Sequence, residues 1–431
     1  MSEEIKQQSN KHSVGLATAL SVIPGLGQLY NRRFIKGSAF LVLFASFITV
    51  FYSFLNIGFW GLFTLGTIPR TDDSRVLLAQ GIISLIVIAI ALLFYSLNII
   101  DARKDAKRIQ QGFKALSVRE GFKHAYDKSF PYLLTGPGLL LLIFTVVFPL
   151  MYMVGLAFTN YSLYNAPPRN LLDWVGFQNF VNLLTVDIWR TTFFNVLSWT
   201  LIWTFVATTL QIILALFLAV LINDKRVKFK KFFRTIMILP WAVPGFVTIL
   251  IFSAMFNDNF GAINRDIIMP LFGGTGINWL SDPFWTKTAL IMIQVWLGFP
   301  FVFALFSGIL TSISSDWYEA ADMDGASKTQ KFRFITLPHV LFATAPLLIM
   351  QYSFNFNNFN IIYLFNQGGP PVMGQNAGGT DILISWVYSL TFESSQYSMA
   401  AAISIIIGLL VASFALFQFR RSRSFKEEES V

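Results

Sequence analysis

The chain has 431 residues, of which 55% are hydrophobic and only 13% are charged, and this balance excludes an ordinary soluble protein of comparable length. Its net charge of +9 would suit nucleic acid or anionic lipid, but the basic residues lie between long apolar runs, which favours a membrane and no nucleic-acid partner. The absence of cysteine excludes disulfides and thiolate metal sites, and three scattered histidines predict no metal site.

The N-terminal region does not have the pattern of a removable signal peptide. Residues 1–11 are polar and of mixed charge, and no short apolar run ending in a small-residue cleavage site follows. Residues His12–Tyr30 are apolar but contain Pro24, Gly25 and Gly27, which interrupt helices. We therefore expect a kinked helix that lies at the membrane interface or enters it halfway, followed by a retained first span.

Eight stretches free of Asp, Glu, Lys and Arg are long enough to cross the hydrocarbon core, which takes about 20 apolar residues in a helix. The predicted fold is therefore an all-α integral membrane protein with eight transmembrane helices. The predicted spans are Gly37–Ile57, Val76–Ile100, Tyr132–Phe158, Thr192–Ile222, Thr235–Phe256, Thr288–Ile313, Val340–Phe365 and Ser398–Phe419.

Basic residues are distributed very unevenly between the two sides of these spans. The side that includes both termini holds 26 of the 32 Lys and Arg residues. Because cytoplasmic loops carry the excess of Lys and Arg, we predict cytoplasmic N- and C-termini in a cell membrane, with the basic clusters contacting lipid headgroups. The residues predicted to be external are Arg70, Arg75, Arg169, Arg190, Arg265 and Lys287.

The polar, basic stretch Arg103–Lys128 separates the first two spans from the other six. We therefore predict a two-span region over residues 1–130, a six-span core over residues 131–420 and a cytoplasmic tail over residues 421–431. Within the core, several residues are expected to loosen helices, either beside a cavity or only as kinks packed on protein. These residues are Pro240, Pro244, Gly245, Gly298 and Pro300.

The predicted spans contain no Asp, Glu, His, Lys or Arg, whereas coupled symporters and proton pumps usually keep one such residue inside the bilayer. The chain also lacks the glycine-rich loop that wraps ATP phosphates, because Ser327 rather than glycine precedes Lys328 in the nearest similar stretch. We therefore predict a transport protein that is not an enzyme, has no catalytic residues or cofactor, and takes its energy from a separate ATPase. A secondary carrier, or a purely structural scaffold, remains the alternative.

The cytoplasmic loop between the sixth and seventh spans has the pattern of two short helices. A residue within Ser314–Asp316 can cap the first helix, Glu319 favours its positive first turn, and Gly325 can end it. The second helix is expected to begin near Ser327 and to end at Pro338. This predicts a compact helix, turn and helix on the cytoplasmic face.

Three groups in this loop match, at the same spacing, the EAA loop of permease subunits from binding-protein-dependent ABC importers: Glu319-Ala320-Ala321, Asp324-Gly325-Ala326 and Ile335-Thr336-Leu337-Pro338. The resemblance implies that the first helix seats in a cleft of an ATPase and transmits its closure. It also implies a homologous second permease, two ATP-binding ATPase subunits and an extracellular solute-binding protein as partners. The implied coupling residues are Glu319, Ala320, Ala321, Asp324 and Gly325.

Other segments resemble the larger membrane subunit of bacterial maltose and maltodextrin importers, namely Ile238–Phe246, Leu250–Phe252, Trp296–Phe301, Phe354–Phe359 and Gly368–Pro370. The resemblance implies maltose or maltodextrin as cargo, with another oligosaccharide or a glycoside as the alternative. Relatives from two-membraned bacteria carry a large folded domain where this chain has only the stretch Thr159–Thr191. A stretch this short suits a Gram-positive bacterium with a lipid-anchored binding protein.

The seventh span concentrates side chains that suit a neutral sugar, with four Asn in six residues next to three Phe. Amides donate and accept hydrogen bonds to hydroxyl groups, and aromatic faces pack on the C–H faces of sugar rings. Helical spacing allows Phe354, Asn355 and Asn358 to point together, while Asn357 and Asn360 are assigned to packing. The alternative is that these amides only join helices through hydrogen bonds.

The sugar-contacting positions of the resembled family correspond here to six residues of the sixth and seventh spans. At position 301 this chain has Phe where the family is expected to have Tyr. Without the tyrosine hydroxyl, one hydrogen bond to the sugar would be lost, a net contribution of about 1 kcal/mol to binding. This departure bears on the identity or length of the sugar. The six implied substrate-binding residues are Leu297, Gly298, Phe301, Phe354, Asn355 and Asn358.

Overall fold

The computed structural model describes residues 12–113, 118–224 and 226–421, with side chains described outside residues 118–125, 128 and 417–421. Within these ranges the secondary structure is helical, and no β-strand occurs. The chain divides into two units, residues 1–176 and residues 177–431.

The first unit contains two short helices followed by three long helical segments. The helices are α1 (Val14–Leu20), α2 (Leu26–Tyr30), α3 (Phe34–Thr64), α4 (Ser74–Gln110), α5 (Val118–Leu142) and α6 (Phe148–Ala157). A π-helical turn at Ile143–Val147 joins α5 to α6, so that Ser129–Ala157 forms one apolar segment of spanning length. Apolar side chains of α4 and α6 pack around Leu78 and Ile82.

The stretch His12–Tyr30 forms two helices rather than one kinked helix. Gly25 has a φ of 96°, and a Cβ there would lie 2.2 Å from the carbonyl oxygen of Gly37. The side chain of Asn98 in α4 hydrogen-bonds backbone groups at the break between the two helices. It accepts from the N–H of Gly25 at 3.2 Å and donates to the carbonyl of Ser21 at 3.0 Å. The interruption is therefore confirmed, and its placement at a membrane interface stays a prediction.

The stretch Arg103–Lys128 is largely an extension of the helices on either side of it. α4 continues to Gln110, and α5 begins at Val118. Ion pairs hold the polar end of α4 to the start of α3: Asp101 with Lys36 at 2.5 Å and Asp105 with Arg33 at 3.3 Å. The predicted division into residues 1–130, 131–420 and 421–431 stays a prediction, and its tail lies almost wholly outside the described residues.

The second unit contains long helices that alternate with short ones. The helices are α7 (Gln178–Thr185), α8 (Asp187–Asn223), α9 (Lys230–Ile238), α10 (Gly245–Met255), α11 (Met269–Phe272), α12 (Pro283–Ser312), α13 (Ser315–Met323), α14 (Lys328–Lys331), α15 (Leu337–Phe356), α16 (Phe359–Asn366), α17 (Leu383–Phe392) and α18 (Tyr397–Arg421). At their centre α8 packs on α12, where the small Ala215 and Ala219 share one core with the buried Phe303 and Phe306. Small residues let two membrane helices approach closely.

The fifth predicted span is broken. Lys230–Ala242 and Gly245–Met255 meet at an angle of 85°, with Pro244 at the break. The expected loosening is therefore observed in this span. In the sixth span, by contrast, Pro300 lies inside α12 without ending it.

The seventh span differs from the prediction at both ends. The second loop helix does not end at Pro338, because α14 passes through a π-helical turn at Phe332–Thr336 directly into α15. The wider π turn shifts the hydrogen-bonding register just before the proline, which cannot donate a bond of its own. At the other end the helix breaks between Phe356 and Phe359, within the asparagine cluster.

Seven helical segments of the described chain are each long and apolar enough to span a membrane, and the bent pair makes eight if it is counted as one span. The predicted all-α membrane architecture is confirmed. The count of eight depends on that bent pair, and the side of the membrane on which the termini lie stays a prediction.

Candidate functional site

A buried amide cluster joins three long helices of the second unit. The Gln294 side chain of α12 donates to Asn355 Oδ1 at 2.8 Å, and Gln294 Oε1 accepts from Asn358 Nδ2 at 3.0 Å. Asn355 Nδ2 donates to Thr208 Oγ1 of α8 at 2.8 Å, and the backbone carbonyl of Asn355 accepts from Trp203 Nε1 of α8 at 2.9 Å. The cluster therefore ties α8, α12 and α15 together.

The amide side chain of Asn355 is hydrogen-bonded within this cluster. Asn355 is 0% exposed, and both of its side-chain polar atoms have partners. Phe354 is 60% exposed, so Phe354 and Asn355 do not point in the same direction. Adjacent helical residues are about 100° apart around the helix axis, since a turn takes 3.6 residues. Of the three residues expected to point together, only Asn355 and Asn358 meet, through Gln294.

The three site residues predicted on α12 have different surroundings. Gly298 is buried, and a Cβ there would lie 1.9 Å from Gln211 Oε1 of α8. Phe301 packs edge-on against Trp241, with ring centroids 5.8 Å apart. This ring contact does not need the hydroxyl that a tyrosine at position 301 would add. Leu297 is half-buried and packs against the core that contains Trp203. Glycine at position 298 therefore makes room for an amide from the neighbouring helix.

Two glutamines of the cluster region were missed by sequence reasoning. Gln211 is fully buried, and its amide has no hydrogen-bond partner among the described residues. Gln294 bridges two of the predicted asparagines. A signal was available, since Gln294 is the only amide residue in the sixth predicted span.

The predicted coupling helix forms at the expected position. α13 begins after Ser314, whose side chain accepts from the N–H of Asp316 at 3.3 Å, and Gly325 has a φ of 74° just after its end. Ser327 caps α14 in a reciprocal capping box with Gln330. Of the predicted coupling residues, Ala321 is half-buried and the others are exposed, namely Glu319, Ala320, Asp324 and Gly325.

Side-chain contacts attach α13 to the base of the seventh span. Tyr318 Oη lies 2.8 Å from Thr336 Oγ1, and Lys331 forms an ion pair with Asp322. The rings of Trp317 and His339 meet edge-to-face at 5.5 Å. A force on α13 would therefore reach the start of α15 through several contacts.

Comparison with known proteins agrees with this architecture. Residues 211–424 match the family described as binding-protein-dependent transport system inner membrane component. The chain is 55% identical to the galactooligosaccharides transport system permease protein GanP of Bacillus subtilis, covering 96% of this chain and 99% of that protein. It is 48% identical to the maltodextrin transport system permease protein MdxF of the same organism, covering 97% of each.

A solved structure shows the same fold. A chain of a bacterial ABC transporter involved in the import of the acidic polysaccharide alginate superposes with a TM-score of 0.57, covering 70% of this chain and 98% of that chain at 21% identity. Since the relatives are transport permeases, the expectation that this chain is not an enzyme is confirmed. The chain therefore belongs to the family of inner membrane components of binding-protein-dependent transport systems.

Proposed function

We propose that this chain is one permease subunit of an ATP-driven importer of short neutral oligosaccharides in a bacterial plasma membrane. It pairs with a homologous permease, two ATPase subunits and an external binding protein. The main support is the exposed helix α13, which lies between two spanning helices in a member of this transport family.

Coupling to the ATPase is supported by the exposed apolar surface of α13. Met323 is 90% exposed and Trp317 is 50% exposed on a helix that the charge distribution assigns to the cytoplasm. A partner protein can cover such exposed apolar side chains. ATP-driven closure would press on Glu319–Gly325, and the contacts of Tyr318 and Lys331 would pass this movement to α15.

The proposed cargo is a galacto-oligosaccharide or a maltodextrin. Similarity over nearly the whole chain to GanP favours the first, and similarity to MdxF favours the second. The proposed contact residues remain Leu297, Gly298, Phe301, Phe354, Asn355 and Asn358. The Asn355 side chain is hydrogen-bonded to Gln294 and Thr208, so sugar binding at this residue requires the cluster to rearrange. The exposed Phe354 and half-buried Asn358 need less change.

Uptake by the assembled complex in proteoliposomes tests the cargo. The labelled sugars are galactobiose and longer galacto-oligosaccharides, together with maltose, maltotriose and longer dextrins. We expect ATP-dependent uptake of one of the two series and discrimination by chain length, with a different length profile for Phe301→Tyr. Equal uptake of both series would reject the cargo assignment.

The same proteoliposomes test the transport class. If this chain reconstituted alone moved sugar without any ATPase, the importer proposal would be wrong and the secondary-carrier alternative would apply. If the complex hydrolysed ATP on addition of the loaded binding protein but moved none of these sugars, only the cargo would be wrong.

A further inference from the structure

A cavity of about 380 Å³ lies in the second unit, between residues of α8, the start of α12 and the segment that joins α16 to α17. Its volume is within the range of small-ligand pockets, roughly 300–1,000 Å³. Polar side chains of α8 and of the segment between α16 and α17 line it, including Asn195, Ser198 and Gln375. The amide cluster does not contribute to its lining.

The only basic side chain in the lining is Lys287, in the first turns of α12. Its ammonium group lies 4.8 Å from the ring centroid of Trp199, and that indole is fixed because its N–H donates to the carbonyl of Thr380 at 3.0 Å. No Asp or Glu carboxylate of the described chain lies within 4.0 Å of Lys287. A half-buried ammonium without an anionic partner is unfavourable, and one aromatic face offsets this only in part.

Lys287 differs in this respect from the other basic residues predicted to be external in the second unit. Arg190 pairs with Asp187 at 3.5 Å, and Arg265 pairs with Asp266 at 2.7 Å. Asp381 lines the same cavity but is 5% exposed, and its oxygens accept from the Gly378 N–H at 2.8 Å and the Ser385 hydroxyl at 2.7 Å. The cavity therefore presents an ammonium group that forms no ion pair with any carboxylate of the described chain.

We propose that this cavity receives an Asp or Glu side chain of the external binding protein, whose carboxylate pairs with Lys287. The inference rests on the proposed function, which supplies the binding protein and places Lys287 outside. Asn195, Ser198 and Gln375 can hydrogen-bond the carboxylate, and Trp199 closes one wall. A side chain on a docked protein is favoured over a free anion because docking raises its effective concentration beside the lysine.

The first test measures the affinity of the binding protein for the complete complex in nanodiscs at several salt concentrations. Lys287→Met is expected to weaken binding roughly tenfold or more and to reduce its salt dependence, because one partner of a partly desolvated charge pair is removed. Lys287→Arg should retain most of the affinity. Arg190→Met is the matched control, since it removes one exposed external charge from α8, and it should change affinity by less than about twofold.

The second test begins with the wild-type proteins. A carbodiimide treatment of the docked wild-type complex should join Lys287 Nζ to an Asp or Glu side chain of the binding protein as an amide, with loss of one water. Mass spectrometry identifies the linked peptide. Replacing that acid with its amide should weaken binding as Lys287→Met does, and the two changes together should weaken it no further.

Two results would overturn the proposal. One is wild-type affinity for Lys287→Met, with cross-links to the binding protein only at other residues. The other is a Lys287 cross-link to Asp381 alone, which would make the lysine a support for the chain's own loop. Failure of the proposed function looks different, because the wild-type complex would then neither bind the protein nor raise its ATP hydrolysis in response.

Discussion

At the scale of single residues, burial separates the asparagines that looked alike in the sequence. Asn355 is fully buried with both side-chain polar atoms hydrogen-bonded, Asn358 is half-buried, and Asn357 and Asn360 are exposed. The alternative that amides join helices therefore describes Asn355 in this structure. Its partners Thr208 and Gln294 lie 147 and 61 positions away in the chain, so no local pattern could have identified them.

Asn355→Ala is expected to destabilise the protein by about 1 kcal/mol, because two interhelical hydrogen bonds of about 0.6 kcal/mol each are lost. Thermal unfolding in detergent should show a lower midpoint than wild type. Asn360→Ala, at an exposed position beyond the helix break, is the control and should leave the midpoint unchanged. Unchanged stability of Asn355→Ala with a raised apparent KM for sugar would instead assign Asn355 to substrate contact.

Gly298→Ala is expected to lower the free energy of unfolding by about 1–3 kcal/mol, the usual cost of overfilling a packed core. The added methyl would lie 1.9 Å from Gln211 Oε1, and the Gln211 side chain is fully buried, so one of the two groups must shift. Gly308→Ala in the same helix is the matched control, because a Cβ there meets nothing within 4 Å. Shortening the opposing side chain by Gln211→Ser should restore stability, and an equal loss in both glycine variants would contradict this account.

Asp381 predicts a pH dependence of stability. Burial raises the pKa of Asp381 to about 6, and the negative charge of Glu393 raises it slightly as well. Hydrogen bonds from Ser385 and Gly378 act in the opposite direction and lower this pKa. The basic group that faces Asp381 is Lys287, which lines the same cavity. A carboxyl whose pKa is raised on folding stabilises the protein fully below the unfolded value of 3.8 and loses this contribution as the pH rises through about 6.

Thermal unfolding of wild type and Asp381→Asn, followed across the range from about pH 4 to pH 7, checks this prediction. The wild-type midpoint should fall relative to the variant over that range. Parallel curves would show that Asp381 does not titrate there.

At the scale of elements, the loop between α12 and α15 formed largely as its sequence pattern indicates. Its caps are local, because Ser314 and Ser327 each bond backbone groups within three residues. The end of the second helix was predicted wrongly, because Pro338 is accommodated by a π-helical turn and α15 continues beyond it. Local capping is visible in sequence, whereas a shift in hydrogen-bond register depends on how the following helix packs.

Glu319→Lys is expected to reduce ATP-dependent sugar uptake by tenfold or more while leaving stability within about 0.5 kcal/mol of wild type, since the side chain is exposed. Sugar uptake in proteoliposomes checks the first effect, and thermal unfolding of the same protein in detergent checks the unchanged stability. Thr329→Lys, also exposed and on the return arm of the loop, should keep most of the uptake. Normal uptake by Glu319→Lys would remove α13 from the coupling path.

At the scale of the whole molecule, the family match covers residues 211–424, while similarity to GanP covers 96% of the chain. The first unit is therefore shared with that relative, although it lies outside the family match. Its two short helices are held to α4 by buried polar groups, including Gln28, Asn31 and Asn98. These contacts fix the two short helices against α4 within the first unit.

The sequence by itself determined the membrane class, the approximate spans and the transport family, because long apolar runs and the EAA spacing are local features that need no partner to be recognised. The residue environments were decided only by the tertiary structure. Gly298 faces Gln211, and Asn355 joins three helices. Lys287 lies over Trp199, with no carboxylate of the described residues within 4.0 Å. Each of these depends on which faces of α8, α12 and α15 meet, and that is set by packing between helices distant in the chain.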